Sequence, residues 1–146
     1  MDIRTDLSTR QAPLKWVIVV DQELAAGRAA NAAACMAAAV GKARPELLGP
    51  DAKDGSGEVH PGLPWAGCSV LAAPAGALAA IRAKAAARAD VLVVDMPEHA
   101  QSSRVYDEYL GQIAGTAAEE FGYLAVSLVG PRNRVDRLVG GLSLFR

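Results

Sequence analysis

The chain has 146 residues, of which 51% are apolar and 21% charged, and this composition favours one globular domain with a buried core. The formal net charge of −1 and the pI of about 6.1 argue against a dedicated nucleic-acid-binding domain, because such domains are usually basic. The sequence contains two basic clusters, which we interpret as solvated helix faces. The first consists of Arg82, Lys84 and Arg88, and the second of Arg132, Arg134 and Arg137.

The N-terminal residues carry no apolar segment of the kind found in signal peptides. Residues 1–13 are polar and end in a proline, so we predict a flexible N-terminal arm before a single α/β domain at residues 14–146. Cys35 and Cys68 lack metal-ligand spacing and are predicted to be buried free thiols. Free thiols indicate a reducing compartment, and no segment is predicted to span a membrane, so a cytoplasmic location is expected.

The first predicted elements are a strand and a long helix of small residues. The continuous apolar run at residues 16–20 predicts a central strand covered on both faces. An alanine-rich helix follows from Gly27 to Lys42. Residues 43–67 contain five of the 14 glycines and four of the eight prolines, which predicts a long, functional loop with a hairpin turn at residues 54–57.

The remaining elements continue the alternation of strands and helices. Strands are predicted at 68–72, 91–94, 123–129 and 142–145, and helices at 74–89, 104–114 and 133–139. This order predicts an α/β fold of three layers, with helices on both faces of a mixed, mainly parallel sheet of about four to five strands. In such sheets ligands bind beyond the carboxyl ends of the strands.

The start of the long helix is the first candidate site. Its free backbone N–H groups and its dipole favour an anion, Gly27 permits close approach, Arg28 adds positive charge, and Asn31 offers a donor and an acceptor one turn further along. We predict that Gly27, Arg28 and Asn31 bind a small molecule or an anion. The alternative is that Gly27 ends a turn and Asn31 bonds a neighbouring loop. No phosphate-binding glycine pattern is present, so no nucleotide cofactor is expected.

The second candidate site follows the predicted strand at residues 91–94. Asp95 lies at the strand end and His99 follows four residues later, so the two side chains could form an acid–base pair. In the alternative, Asp95 caps the next helical turn and His99 lies on the surface. His60, beside Asp54 and Glu58, lacks the spacing of a metal site, and no metal is expected.

Several motifs together resemble a known fold. The strand ending in an acidic residue, followed by L-x-x-G-[KR] and A-A-x-C-x-x-A-x-x-G, resembles the opening of the peptidyl-tRNA hydrolase type II fold, and residues 128–144 resemble its close. Between them, P-E-L-L-G-P-D, G-x-x-H-P-G and Y-D-E-Y resemble a bacterial family of unknown function that shares this fold. The resemblance covers residues 15–146.

The resemblance implies a site that this chain has largely lost. The hydrolases use a lysine, a glutamine and a histidine on the first helix, and these positions are occupied by Ala30, Ala34 and Ala37. Their strand-end aspartate is retained as Asp95, whereas their threonine position is occupied by His99. Because alanine can neither bind phosphate nor polarise an ester carbonyl, neither peptidyl-tRNA hydrolysis nor tRNA binding is expected.

Three hypotheses follow from these residues. The protein is a small-molecule or anion-binding protein that uses Gly27, Arg28, Asn31 and Asp95. Alternatively, it is a hydrolase whose acid–base residues have moved to Asp95 and His99, or a dimeric interaction module in which only the fold matters. The resemblance also implies a homodimer, since the hydrolases of this fold are generally dimers.

Overall fold

The computed structural model describes residues 3–146 and contains one main sheet of five strands. The strands of this described part are β1 (Leu14–Asp21), β2 (Ala52–Lys53), β3 (Val59–His60), β4 (Ser69–Ala73), β5 (Leu92–Pro97), β6 (Tyr123–Pro131) and β7 (Ser143–Leu144). The helices are α1 (Ala26–Ala43), α2 (Ala75–Ala86), α3 (Glu98–Ser102), α4 (Tyr106–Ala114) and α5 (Arg132–Val139), with 3₁₀ turns at Pro45–Leu47 and Ala118–Glu120. The predicted mixture of strands and helices is confirmed.

The prediction of a mainly parallel sheet is wrong. The strand order is β5-β6-β1-β4-β7, and only β1 and β4 pair in parallel, whereas the pairs β1–β6, β5–β6 and β4–β7 are antiparallel. The reason is that β6 inserts between β1 and β5 and runs against both of them. The strands β1, β4 and β5 still point the same way, so their carboxyl ends lie at one edge of the sheet.

The centre of the sheet is β1, as the apolar run predicts. Its residues from Trp16 to Val20 are all buried, and they alternate between two hydrophobic clusters. Trp16, Ile18 and Val20 pack in the cluster that contains α1, whereas Val17 and Val19 pack in the cluster that contains α2 and α5. One strand therefore supplies both halves of the core.

Helix α1 packs against the sheet through one narrow row of buried residues. Its buried residues are Ala29, Ala32, Met36 and Val40, at the three- and four-residue spacing of one helix face. Because two of the four are alanines, the helix backbone lies close to the sheet. The other face of α1, which includes Asn31 and Cys35, stays exposed.

The loop before β4 is ordered by its own contacts. The hairpin β2–β3 confirms the predicted turn, in which Asp54 Oδ1 accepts hydrogen bonds from the N–H groups of Ser56 and Glu58 at 2.9 and 3.0 Å. At the base of the loop, a Cβ atom on Gly62 would lie 1.9 Å from the carbonyl oxygen of Gly49, so only glycine permits this approach.

The predicted N-terminal arm includes residues 1 and 2, which lie outside the described residues. Nearer the domain, Ala12 is buried, and its carbonyl oxygen accepts a hydrogen bond from Arg132 Nε at 2.7 Å. Within residues 3–146, no helix combines the length and the apolarity needed to cross a bilayer.

Candidate functional site

A cavity of about 450 Å³ opens beside β5, the edge strand that follows β6 in the sheet. We call it the β5-edge cavity. Apolar residues of α1, β5 and α3 form part of its wall, namely Met36, Ala39, Val94, Met96 and Ala100. Polar side chains share the wall with them, namely Asn31, Ser103, Arg104, Tyr106 and Tyr109. The cavity thus joins an apolar wall to several hydrogen-bonding groups.

The start of α1 lies beside this cavity. Gly27, Arg28 and Asn31 line an adjoining depression of about 400 Å³, and Asn31 lines both spaces. Apart from its chain neighbours and its own helix backbone, a Cβ atom on Gly27 would meet no atom of the described residues within 4 Å, so the surface there is open. Ala25, which precedes the helix, makes no side-chain capping bond to the first backbone N–H groups. The three residues predicted to bind a ligand are therefore neighbours around one opening.

Gln101 connects these residues to α3. Its Oε1 accepts a hydrogen bond from Arg28 Nε at 2.8 Å, and its Nε2 donates to the Arg28 carbonyl oxygen at 2.9 Å and to Asn31 Oδ1 at 3.1 Å. These bonds hold the Arg28 guanidinium and the Asn31 amide in fixed orientations at the opening.

Asp95 lines the same cavity as Asn31, but its carboxylate is bound to a partner elsewhere. Asp95 lies opposite Val126 in the sheet, on the face that α2 covers, and its Oδ2 accepts a hydrogen bond from Arg82 Nε at 2.7 Å. The Arg82 guanidinium also lies 5.2 Å from the centre of the Tyr123 ring. The hydrogen bond to Asp95 raises the pKa of Arg82, so this cation stays charged.

The charge of Asp95 also affects a tyrosine of the cavity wall. Burial raises the pKa of Tyr109, and the nearby negative charge of Asp95 raises it further. Tyr109 contacts Tyr106, with ring centres 5.5 Å apart at an angle of 60°, and Tyr106 is 71% exposed. The phenol of Tyr109 is therefore neutral at physiological pH and able to donate a hydrogen bond into the cavity.

His99 lies outside the residues that line the cavity. Its ring packs edge-on against Phe121 at 5.6 Å, and its Nε2 lies 3.4 Å from Thr116 Oγ1. Phe121 in turn stacks on Tyr123 at 6.0 Å. Among the described residues, no hydrogen bond joins His99 to Asp95, and a series of contacts through Phe121, Tyr123 and Arg82 runs between them. The structure thus connects the two predicted catalytic residues indirectly.

The Nδ1 atom of His99 is buried and has no hydrogen-bond partner within the described part of the chain. A buried imidazole nitrogen without a partner costs free energy, so it marks a position that a proton acceptor or donor could use.

Three residues of the site were not predicted from the sequence. Gln101 and Arg82 bond residues that were predicted, and Tyr109 lines the same cavity as two of them. Gln101 had no signal beyond its place in a polar segment after Pro97, and Arg82 was grouped with a solvated helix face. Tyr109 belongs to the Y-D-E-Y motif, which in the sequence indicates only the resemblance to a family. Their roles depend on contacts between distant parts of the chain.

Cys35 and Cys68 are free thiols as predicted, but the prediction that they are buried is wrong, because both are exposed. Cys35 lies one turn after Asn31 on the open face of α1 and lines the β5-edge cavity. Among residues 3–146, no three histidine, cysteine or acidic side chains converge as a metal site would require. His60 instead pairs with Asp54, with His60 Nε2 and Asp54 Oδ2 3.0 Å apart.

The fold and the cavity define this protein as an α/β domain with a ligand-sized space at the open edge of its sheet. Residues 14–146 match the family described as "Protein of unknown function (DUF2000)", and the chain belongs to that family. Among solved structures, the chain is similar to a protein of unknown function from Agrobacterium tumefaciens strain C58, with 18% sequence identity and a TM-score of 0.84. That similarity covers 93% of this chain and all of the other. No curated protein matches the chain significantly.

The membership confirms the expectation of a family without an established function. At 18% identity the Agrobacterium structure shows a shared fold alone.

Proposed function

We propose that this protein binds a small molecule in the β5-edge cavity. The observation that carries the proposal is that Asn31 and Asp95, which are distant in sequence, line the same cavity with the start of α1 beside it. The volume of about 450 Å³ falls within the range typical of ligand pockets, roughly 300–1,000 Å³.

The chemistry of the wall indicates an amphipathic ligand. Met36, Val94 and Met96 contact an apolar body, and methionine side chains adapt to its shape. Asn31 and Tyr109 supply hydrogen bonds. An anionic group of the ligand lies at the start of α1, where backbone N–H groups are free and the Arg28 guanidinium is fixed by Gln101.

In this proposal Asp95 positions Arg82 and does not react with the ligand. Its hydrogen bond to Arg82 supports that role. The fold itself is proposed to be the three-layer arrangement of the peptidyl-tRNA hydrolase II type, supported by the packing of α1 and of α2 with α5 on opposite sides of β1. With Ala30, Ala34 and Ala37 at the positions of the catalytic groups, peptidyl-tRNA hydrolysis is not part of the proposal.

The oligomeric state and the cellular location of this protein are proposed from the sequence alone. The resemblance supports a homodimer in a bacterial cytoplasm, without membrane association. Light scattering coupled to size-exclusion chromatography tests the dimer. A monomer of 15.1 kDa at every concentration would contradict it.

A hydrolase that uses Asp95 and His99 is the second candidate. The observation in its favour is the buried Nδ1 of His99, which has no partner among the described residues. Turnover on a panel of esters and amides, lost in His99→Gln and retained in a folded Glu23→Gln control, would support this candidate and contradict a pure binding role.

The binding proposal is tested by filling the cavity. Ala39 lines it, and the adjacent Ala38 does not, although both are exposed on α1. In a thermal-shift screen of amphipathic carboxylates and phosphates, a ligand at a hundred times its dissociation constant adds about 2.7 kcal/mol of stability.

Ala39→Phe should abolish the shift for each such ligand, and Ala38→Phe should leave it unchanged. No shift with any compound, or equal shifts in both variants, would overturn the proposal.

A further inference from the structure

A second concave surface lies between α2 and α5, on the opposite side of β1 from α1. This cationic groove encloses about 380 Å³ and is lined by four basic residues, Lys84, Arg88, Arg134 and Arg137, with Ala87 and Leu138 between them. It shares no lining residue with the β5-edge cavity. Two members of each basic cluster of the sequence thus meet in one place.

Most of the positive charge in the cationic groove is uncompensated. Arg134 pairs with Asp90, with its Nε 2.6 Å from Asp90 Oδ2. Among residues 3–146, no hydrogen bond or ion pair satisfies the side chains of Lys84, Arg88 or Arg137. The protein as a whole carries a net charge of −1, so this excess is local.

Helix dipoles explain only part of this arrangement. Lys84 and Arg137 each lie in the last turn of their own helix, where a cation is favourable. Arg134, by contrast, lies in the first turn of α5, where the dipole disfavours a cation. The groove also brings four like charges to one surface, and their mutual repulsion costs free energy that a bound anion would recover.

We propose that the cationic groove binds the polyphosphate group of a small phosphorylated molecule. Phosphate oxygens accept hydrogen bonds from guanidinium and ammonium groups, and arginine presents a planar fork that matches them. Three cations without a partner in the described part of the chain match a group with several negative charges better than they match a single carboxylate. The volume suits a small molecule, and the surface between the cations is small and apolar.

The test uses inorganic tripolyphosphate as the probe and titration calorimetry of the full chain at about 50 mM salt. Measurable binding is expected, and it should weaken as salt is raised to about 200 mM, because the charges of the groove are exposed to screening ions. The double variant Lys84→Gln/Arg137→Gln should weaken binding about tenfold or more.

The matched control is Lys42→Gln, because Lys42 lies in the last turn of α1 and outside the cationic groove. Lys84→Gln should weaken binding, whereas Lys42→Gln should not. Circular dichroism checks that each variant is folded.

Absence of binding at low salt would overturn the proposal. So would equal losses in Lys84→Gln and Lys42→Gln, which would indicate a general charge effect. Binding of a single-stranded oligonucleotide without binding of tripolyphosphate would also overturn it, in favour of a nucleic-acid surface.

Discussion

The pair between Arg82 and Asp95 gives the most direct test of how this site is built. If Asp95 acts through Arg82, then Asp95→Asn removes a charged hydrogen bond of 2.7 Å and leaves the guanidinium stacked on Tyr123 without its counter-charge. Asparagine has the same shape as aspartate, so packing is preserved. The expected result is a loss of stability without loss of the fold.

The magnitude follows from the exposure of the pair. The Arg82 and Asp95 side chains are 36% and 24% exposed, so the pair lies between a surface pair, worth about 0–1 kcal/mol, and a buried one, where loss of a partner costs about 3–5 kcal/mol. We expect Asp95→Asn to lower the free energy of unfolding by about 1–2 kcal/mol. In a domain of this size that corresponds to a melting temperature lower by roughly 2–8 °C.

The assay is urea unfolding of Asp95→Asn, Arg82→Gln and the double variant. Because the two groups bond each other, the double variant should be more stable than the sum of the single losses predicts, by about 1 kcal/mol. Glu23→Gln, at an exposed carboxylate, should stay within about 0.5 kcal/mol of the native protein. Additive losses at Arg82 and Asp95, or an unchanged stability in Asp95→Asn, would refute the structural role of this pair.

Three further predictions concern the core and the loop. Ser127→Ala should lower the free energy of unfolding in urea by about 1–3 kcal/mol, because Trp16 Nε1 loses its buried acceptor at 2.8 Å. If Ser127→Ala destabilises the native protein no more than it destabilises a Trp16→Phe variant, this explanation is contradicted. Gly62→Ala should destabilise the chain by about 1–3 kcal/mol in the same assay, because its Cβ meets a backbone oxygen; native stability would disprove the close approach. The hydrogen bond from His60 should hold the pKa of Asp54 below its usual value, as measured by NMR titration. The stability that this bond contributes is therefore present at neutral pH and is lost as pH falls through the lowered pKa of Asp54. His60→Ala should raise the pKa of Asp54, and an unchanged pKa would refute the pairing.

Local sequence patterns predicted most elements of this fold. The apolar run at residues 16–20 indicates a strand covered on both sides because each of its residues is apolar, and all five are buried in the structure. The alanine-rich segment indicates a helix because alanine has the highest helix propensity. The turn at residues 54–57 is predicted because Asp54 and the glycines that follow it favour a hairpin.

Pairing between distant strands was not predictable in the same way. Strand β6 follows α4 in the chain and is inserted between β5 and β1, and only its contacts with both set its antiparallel direction. A strand has no preference of its own for a parallel or an antiparallel neighbour. The alternation of strands and helices therefore predicted a mainly parallel sheet, whereas the sheet is mainly antiparallel.

For the candidate site, the sequence alone determined which groups are present: a polar start of α1 with Gly27, Arg28 and Asn31, and the carboxylate of Asp95. Only the tertiary structure decided what each group bonds, because Gln101 reaches Arg28 and Asn31 across 73 and 70 residues, and Arg82 reaches Asp95 from the neighbouring helix. The same holds for the cationic groove, where two clusters about 50 residues apart share one surface. Chain spacing sets which residues share a helix face or a strand face, whereas the packing of those faces sets which of them meet.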